Sequence, residues 1–216
     1  GKTFDELEID KKNILNVQGI SCVTKVIEEN ALVKYLDKQY ICTIKGVSND
    51  IYRTSRLDSM VVQGEAILER GKQNFAIVGM GVSYNLGLNL NDYENPLSVY
   101  VPRRFEGSRI NPVEAFNHML IQPSGVFSVQ QEYDQKFIIV PLRFAAELLE
   151  SEHQLSALEI KVDPAINPKR VQKQLESLLG DKYTVKTKYE QEELLFKIMK
   201  SEKLAVFMIL SFILLI

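Results

Sequence analysis

Apolar and polar positions alternate in some stretches of the chain and recur at helical spacing in others, and the change of period marks the elements. From Leu158 to Val162 every second residue is apolar, the pattern of a half-buried strand. Val171, Leu175, Leu178 and Leu179 fall on one face of a helix that Asn167-Pro168 opens and Gly180 closes. Near the start, Asp10 caps a helix through Lys11–Val17, with Gly19 as its stop. Two runs rich in β-branched and aromatic residues follow, 22–27 and 31–36, and Asp37-Lys38 turns the chain into a third, 39–47. Pairing about that turn sets Cys42 opposite Val33 and leaves Cys22 unmatched, so no Cys22–Cys42 disulfide is expected within the hairpin.

From Ser48 to about residue 125 the chain is rich in loops and holds most of the glycines. Within it, Asn74–Gly79 reads as a buried strand, Met80–Leu88 as a short helix closed by Gly87, and Leu97–Val101 as a further strand. Pro102 to Pro123 carries three prolines and mixed charge, which predicts a long surface excursion. Strands resume at 124–129 and 137–140, and a helix follows through Leu142–Leu149. After the 167–180 helix, 183–187 reads as a strand. Glu190 then opens a helix that meets neither Pro nor Gly before Ile216. The fold class is therefore α+β. One subdomain is built from both ends of the chain, 1–48 and 155–196, and a β-rich segment, 49–154, is inserted in it.

The last thirteen residues, Leu204–Ile216, carry one hydroxyl and no charge. At about 1.5 Å per residue they cover roughly 20 Å, short of the roughly 30 Å of bilayer hydrocarbon. The chain also opens on Gly1 and not on Met, so the expectation is a fragment that stops within a membrane helix. Charge ends at Lys203, where a side chain can snorkel to the interface.

Candidate chemistry narrows the picture further. Lys and Arg number 26 against 28 Asp and Glu, a net charge of -2, which offers no basic surface for nucleic acid. Two cysteines and two histidines, His118 and His153, are too few for a zinc finger or a disulfide scaffold. Gly79-Met80-Gly81 follows a strand, but Tyr84 stands where a dinucleotide fingerprint needs its third glycine, so the glycines read as easing a tight strand-to-helix turn. The sequence contains no complete phosphate-cradling Gly-x4-Gly-Lys-Ser/Thr motif, and Pro123-Ser124-Gly125 is no nucleophile elbow. Glu28-Glu29 and Glu192-Glu193 are adjacent pairs that read as solvated surface. The sequence nominates no catalytic, cofactor-binding or metal-binding residue, and the expectation is a protein that is not an enzyme.

Several stretches, taken in order, resemble a known family. Ala76-Ile77-Val78-Gly79, Leu86-Gly87-Leu88, Asn91-Asp92 and Leu97-Ser98-Val99 are similar to a recurrent stretch of MacB-like periplasmic domains, with Asn91 where Gly is usual. Ser124–Ser128, Glu132-Tyr133-Asp134 and Ile139–Leu142 resemble the family's next strand pair and helix. Leu195–Phe207 resembles the entry into the second transmembrane helix of lipoprotein-releasing permeases of the LolC/LolE type, with Glu202 and Lys203 at the membrane boundary and 197–216 as the start of that helix.

The resemblance implies a Porter-like subdomain (1–48 and 155–196) and a Sabre-like one (49–154) in an ABC transporter permease of the FtsX-like class. It implies a separate cytoplasmic ATPase subunit, a second permease subunit, the inner membrane of a Gram-negative bacterium with this domain in the periplasm, and release of a lipoprotein to a periplasmic carrier. Carrier-recruiting members extend a hairpin hook where this chain has only the short polar link Glu150–Ser156. Ser151, Glu152, His153 and Gln154 are the candidate partner-contact loop. The alternative is an FtsX-type regulator or scaffold that couples to a periplasmic partner and moves no substrate.

Overall fold

The structure, a computed structural model, describes residues 3–103, 115–151, 153–191, 207, 208, 211 and 213. In chain order its elements are β1 (Phe4–Asp5), α1 (Lys11–Leu15), β2 (Ile20–Tyr35), β3 (Lys38–Val47), α2 (Ile51–Thr54), β4 (Val61–Gly64), β5 (Glu69–Arg70) and β6 (Gln73–Gly79). These are followed by α3 (Met80–Leu86), β7 (Leu97–Pro102), β8 (Phe116–Phe127), α4 (Gln131–Asp134), β9 (Phe137–Pro141), α5 (Leu142–Leu148), β10 (Gln154–Leu155), β11 (Ala157–Val162) and α6 (Pro168–Leu179).

The hairpin of β2 and β3 organises the sheet. The two runs read as separate strands are one, because Glu28, Glu29 and Asn30 keep their ladder partners Lys45, Ile44 and Thr43. Leu36 takes the left-handed conformation at φ 52°, so the turn lies at Leu36-Asp37, one residue earlier than the sequence predicts. Moving the turn by one residue moves every partner by two, and Cys42 faces Ala31 instead of Val33. A two-residue slip preserves which face each side chain occupies, so the core pattern survives the error. Cys22 near the start of β2 is then ~30 Å along the strand from Ala31, far beyond disulfide reach, and both cysteines are free and buried.

Around this hairpin the strands close a circuit. β7 pairs with β2, β8 with β7, β6 runs parallel to β8, and β9 joins β6 to β3. β4 adds to β8, β5 to β6 and β11 to β2. The excursion expected from Pro102 to Pro123 includes most of β8, whose strand passes through Pro123. That proline is tolerated because the register shifts there: Ala76 pairs with Pro123 and Ile77 with Gly125, so Ser124 is bulged out.

Alternation along these strands feeds two cores. Val33, Ile44, Val78, Val99, Ile138 and Val140 pack with Val82 and Leu86 of α3 and with Phe144 and Leu148 of α5. The opposite positions Val26, Val47, Ile77, Phe127 and Phe137 pack with Ile51, Leu57 and Leu68.

Two compact units divide the chain: Gly1–Lys12 with Ser21–Lys161, and Asn13–Ile20 with Val162–Ile216. Within the first unit the sheet draws on 21–47, 61–141 and 157–161 alike, so the segments read as Porter-like and Sabre-like share backbone hydrogen bonds. The composition shift near Asn49 marks a change in loop content and not a break in the sheet.

In the second unit, Asn167 caps α6 by accepting from the Lys169 N–H at 3.0 Å, and Val171 and Leu175 are buried. Leu178 is exposed, which narrows the apolar face read from spacing. No strand forms at 183–187. Val185 and Thr187 bond locally. The Val185 carbonyl accepts from Gln172 at 3.0 Å, and Thr187 forms a capping box with Glu190, whose carboxylate accepts from the Thr187 N–H at 2.8 Å. Helical backbone follows at 188–191.

Candidate functional site

The partner-contact link read from the sequence begins where α5 ends. Glu150 takes φ 51°, the Ser151 N–H donates to the Ala146 carbonyl at 3.0 Å, and the chain reverses. Arg103 grips the Glu150 carboxylate at two points, 2.6 and 3.3 Å, and these bonds hold the Glu150 carboxyl below its ordinary pKa. The link then enters β10, which pairs with β1 through Phe4–Leu155 and Asp5–Gln154, and the Glu6 N–H donates to the His153 carbonyl at 2.8 Å. Leu155 plugs into the first core. His153 and Gln154 are therefore tied to the start of the chain by backbone bonds, while Ser151 is held to the end of α5. Glu152, and the membrane-boundary pair Glu202 and Lys203, lie outside the described residues. So does the join between the 188–191 helix and the apolar tail. Phe207, Met208, Ser211 and Ile213 are helical, and the Ser211 hydroxyl donates to the Phe207 carbonyl at 2.8 Å. No helix among the described residues is long and apolar enough to cross a membrane.

The residues weighed for chemistry take structural places. Gly79 has φ -62° and ψ 143°, ordinary extended backbone, so it is not needed for a tight turn. A Cβ there would stand 2.9 Å from the Asp134 carbonyl carbon, and one at Gly81 would stand 2.9 Å from Gln135 Cα. Both glycines admit the chain between α4 and β9, a close approach that corrects the turn reading. Asp134 itself is buried, accepting from the Ser128 hydroxyl at 2.7 Å and the Val129 N–H at 2.8 Å. Ser124 donates to the Ile67 carbonyl at 2.6 Å. His118 is exposed and stacks on Tyr100 with ring centroids 4.4 Å apart. Burial pushes the Cys42 thiol up to about 12, which keeps it protonated and unreactive at neutral pH. Among the described residues, no group of three His, Cys, Asp or Glu side chains is placed to hold a metal ion.

One charged cluster escaped the sequence reading. Lys45 of β3 pairs with Glu159 of β11 and lies 3.6 Å from the Glu28 carboxylate of β2. Burial alone would pull its pKa down, but the two carboxylates outweigh burial and hold the ammonium above its ordinary value. Glu28, read as plain solvated surface, is thus part of an ion group. The available signal was a lysine inside an apolar strand run, Ile44-Lys45-Gly46-Val47.

No family model matches the sequence, and no curated protein is significantly similar to it. Solved structures do match. The extracellular domain of the noncanonic ABC-type transporter YknZ from Gram-positive bacteria aligns with a TM-score of 0.55 at 15% identity, over 83% of each chain. The periplasmic region of MacB from Actinobacillus actinomycetemcomitans aligns with a TM-score of 0.51 at 12% identity, over 82% of this chain and 75% of that one. At these identities the likeness is one of fold. The MacB-like α+β fold expected from the sequence is the fold the chain adopts.

Proposed function

We propose that this chain is the extracytoplasmic domain of an ABC transporter permease subunit and that it carries ATP-driven movement from the membrane to the outer side. The observation that supports this reading best is the fold shared with the YknZ extracellular domain across 83% of the chain. The uncharged tail beyond Lys203 adds to it. In this reading the domain performs no chemistry, and a separate cytoplasmic subunit hydrolyses ATP while a second permease subunit completes the transporter. The resemblance around Leu195–Phe207 favours release of an acylated lipoprotein from a Gram-negative inner membrane. The 150–156 link is short and backbone-tied, which supports a subunit that does not recruit a periplasmic carrier through a projecting hook.

Sidedness tests the proposal. Tyr84 is 84% exposed and both native thiols are buried, so Tyr84→Cys creates a single accessible thiol among the described residues. Unlysed spheroplasts carrying the permease should label at that cysteine with a membrane-impermeant maleimide. Labelling only after lysis would contradict an extracytoplasmic domain.

A further inference from the structure

The short link after α5 is anchored at both ends. The Ser151 N–H donates to the Ala146 carbonyl at 3.0 Å, and the Ser156 N–H donates to the Val26 carbonyl at 2.9 Å. The Ser156 hydroxyl also accepts from the Glu28 N–H at 2.9 Å. His153 and Gln154, between these anchors, are held differently. Their backbone runs along the start of the chain, with Gln154 opposite Asp5, Leu155 opposite Phe4, and the His153 carbonyl on the Glu6 N–H. β1 and β10 form a sheet of their own, apart from the large one. What covers this edge is thus the chain's own segment 3–9.

That cover is weakly held. Its ladder is two residues a side, against ten partners between β2 and β3, and a lone pair of strands is marginally stable in water. Glu6 pairs with Lys25, but their side chains are 31% and 26% exposed, so water screens the pair. Phe4 packs on the first core and is only partly buried. A cavity of about 20 Å³ lies among Phe4, Glu6, Ile9, Lys25, Leu155 and Leu158, and side chains around such a gap forfeit contacts that close packing would give. Leu155, by contrast, is seated in the first core at 2% exposure. Local opening begins where ladders are short and buried apolar contacts few, which sets 3–9 apart from the sheet beneath it.

We propose that residues 3–9 are an autoinhibitory latch: β1 closes over His153 and Gln154 of the candidate partner-contact loop, and its release frees them while Leu155 and Ser156 keep the core and sheet closed. β1 is the first paired element of the chain, so load arriving from the N-terminal side meets the latch before the large sheet. The latch rests on contacts within the first unit and stands whether or not the domain serves a transporter.

Hydrogen–deuterium exchange of the whole 216-residue chain in a non-ionic detergent tests it. Segments 3–9 and 151–156 should open together, roughly ten-fold or more faster than β3. Phe4→Ser removes the apolar anchor and Glu6→Lys reverses the ion pair. Each should speed exchange in 151–156 by roughly ten-fold and leave β3 and circular dichroism unchanged. Asp5 and Gln154 stand opposite each other beside the bonded Glu6–His153 pair, which makes theirs the closer kind of antiparallel pair. With both native thiols buried, Asp5→Cys with Gln154→Cys should form a disulfide that slows exchange in 151–156, an effect that a reductant reverses. Exchange in 151–156 that neither Phe4→Ser nor Glu6→Lys changes would overturn the proposal. Equal acceleration of β3 would overturn it too, because 3–9 would then be one cooperative unit with the sheet.

Discussion

Lys45 in β3 is paired with Glu159 in β11, a residue 114 positions later, with Glu28 of β2 on its other side. One ammonium thus fastens the last strand of the sheet to its central hairpin. Lys45→Met would leave two carboxylates facing each other without a counter-charge. Breaking a fully buried pair costs about 3–5 kcal/mol. Glu159 and Glu28 are 33% and 38% exposed, so water screens part of the loss and about 2 kcal/mol is expected. Adding Glu159→Leu to Lys45→Met should cost less than the sum of the two single changes in urea unfolding. Additive losses would show that the two groups do not interact.

Gly79 and Gly81 predict a packing penalty. With the Asp134–Gln135 backbone 2.9 Å from either added Cβ, the neighbour is main chain and cannot rotate away. Gly79→Ala and Gly81→Ala should each destabilise by about 1–3 kcal/mol, whereas Gly71→Ala, with open space around it, should show only the smaller strain of its positive φ. Thermal midpoints of the three variants check this ordering.

Cys42 predicts the alkaline limb of the stability curve. An ordinary thiol ionises near 9.0, and burial holds this one protonated to about 12. Between those values the unfolded chain binds fewer protons than the native one, so stability falls as pH rises, by about 1.4 kcal/mol per pH unit once the unfolded thiol is ionised. Tyr35, Tyr52 and Lys45 also have raised values, from ordinary values of 10.0, 10.0 and 10.5, and add to the fall higher up. The clean comparison is therefore made from pH 9 to 10. Cys42→Ala should be less stable at neutral pH because of the cavity, yet lose less stability across that interval. An unchanged slope would refute the assignment to Cys42.

The elements legible in the sequence were those whose information is local. Asn167-Pro168 and Gly180 bounded α6, and Gly87 closed α3, because caps and left-handed stops act within a turn. Runs such as Ile44–Val47 and Ile138–Val140 announced buried strands. The strand pairs β1–β10 and β5–β6 are two residues a side, too short to show a period. β8 was hidden by Pro123, whose bulge depends on β6 more than forty positions earlier. The Lys45–Glu159 pair and the ties of His153 and Gln154 to Glu6 and Asp5 join residues more than a hundred positions apart, which no window of sequence contains. The 183–187 run has strand composition, but the Val185 carbonyl is met by Gln172 and the Thr187 N–H by Glu190, and among the described residues no strand pairs with it.

In the proposed function, movement would enter the domain from the membrane through the helix expected from Glu190 onward. Met199 lies outside the described residues; if the expected helix runs through it, a proline there would remove one backbone hydrogen bond and kink the helix at a local cost of about 3 kcal/mol, while the buried residues of the first unit's cores, the last of them Leu155, are expected to stay packed. The decisive measurement is the ATPase rate and cargo release recorded together in the same reconstituted membranes, for the native permease and Met199→Pro. If the helix transmits the movement, hydrolysis persists while release falls. Release left untouched, or both activities lost in equal measure, would contradict it.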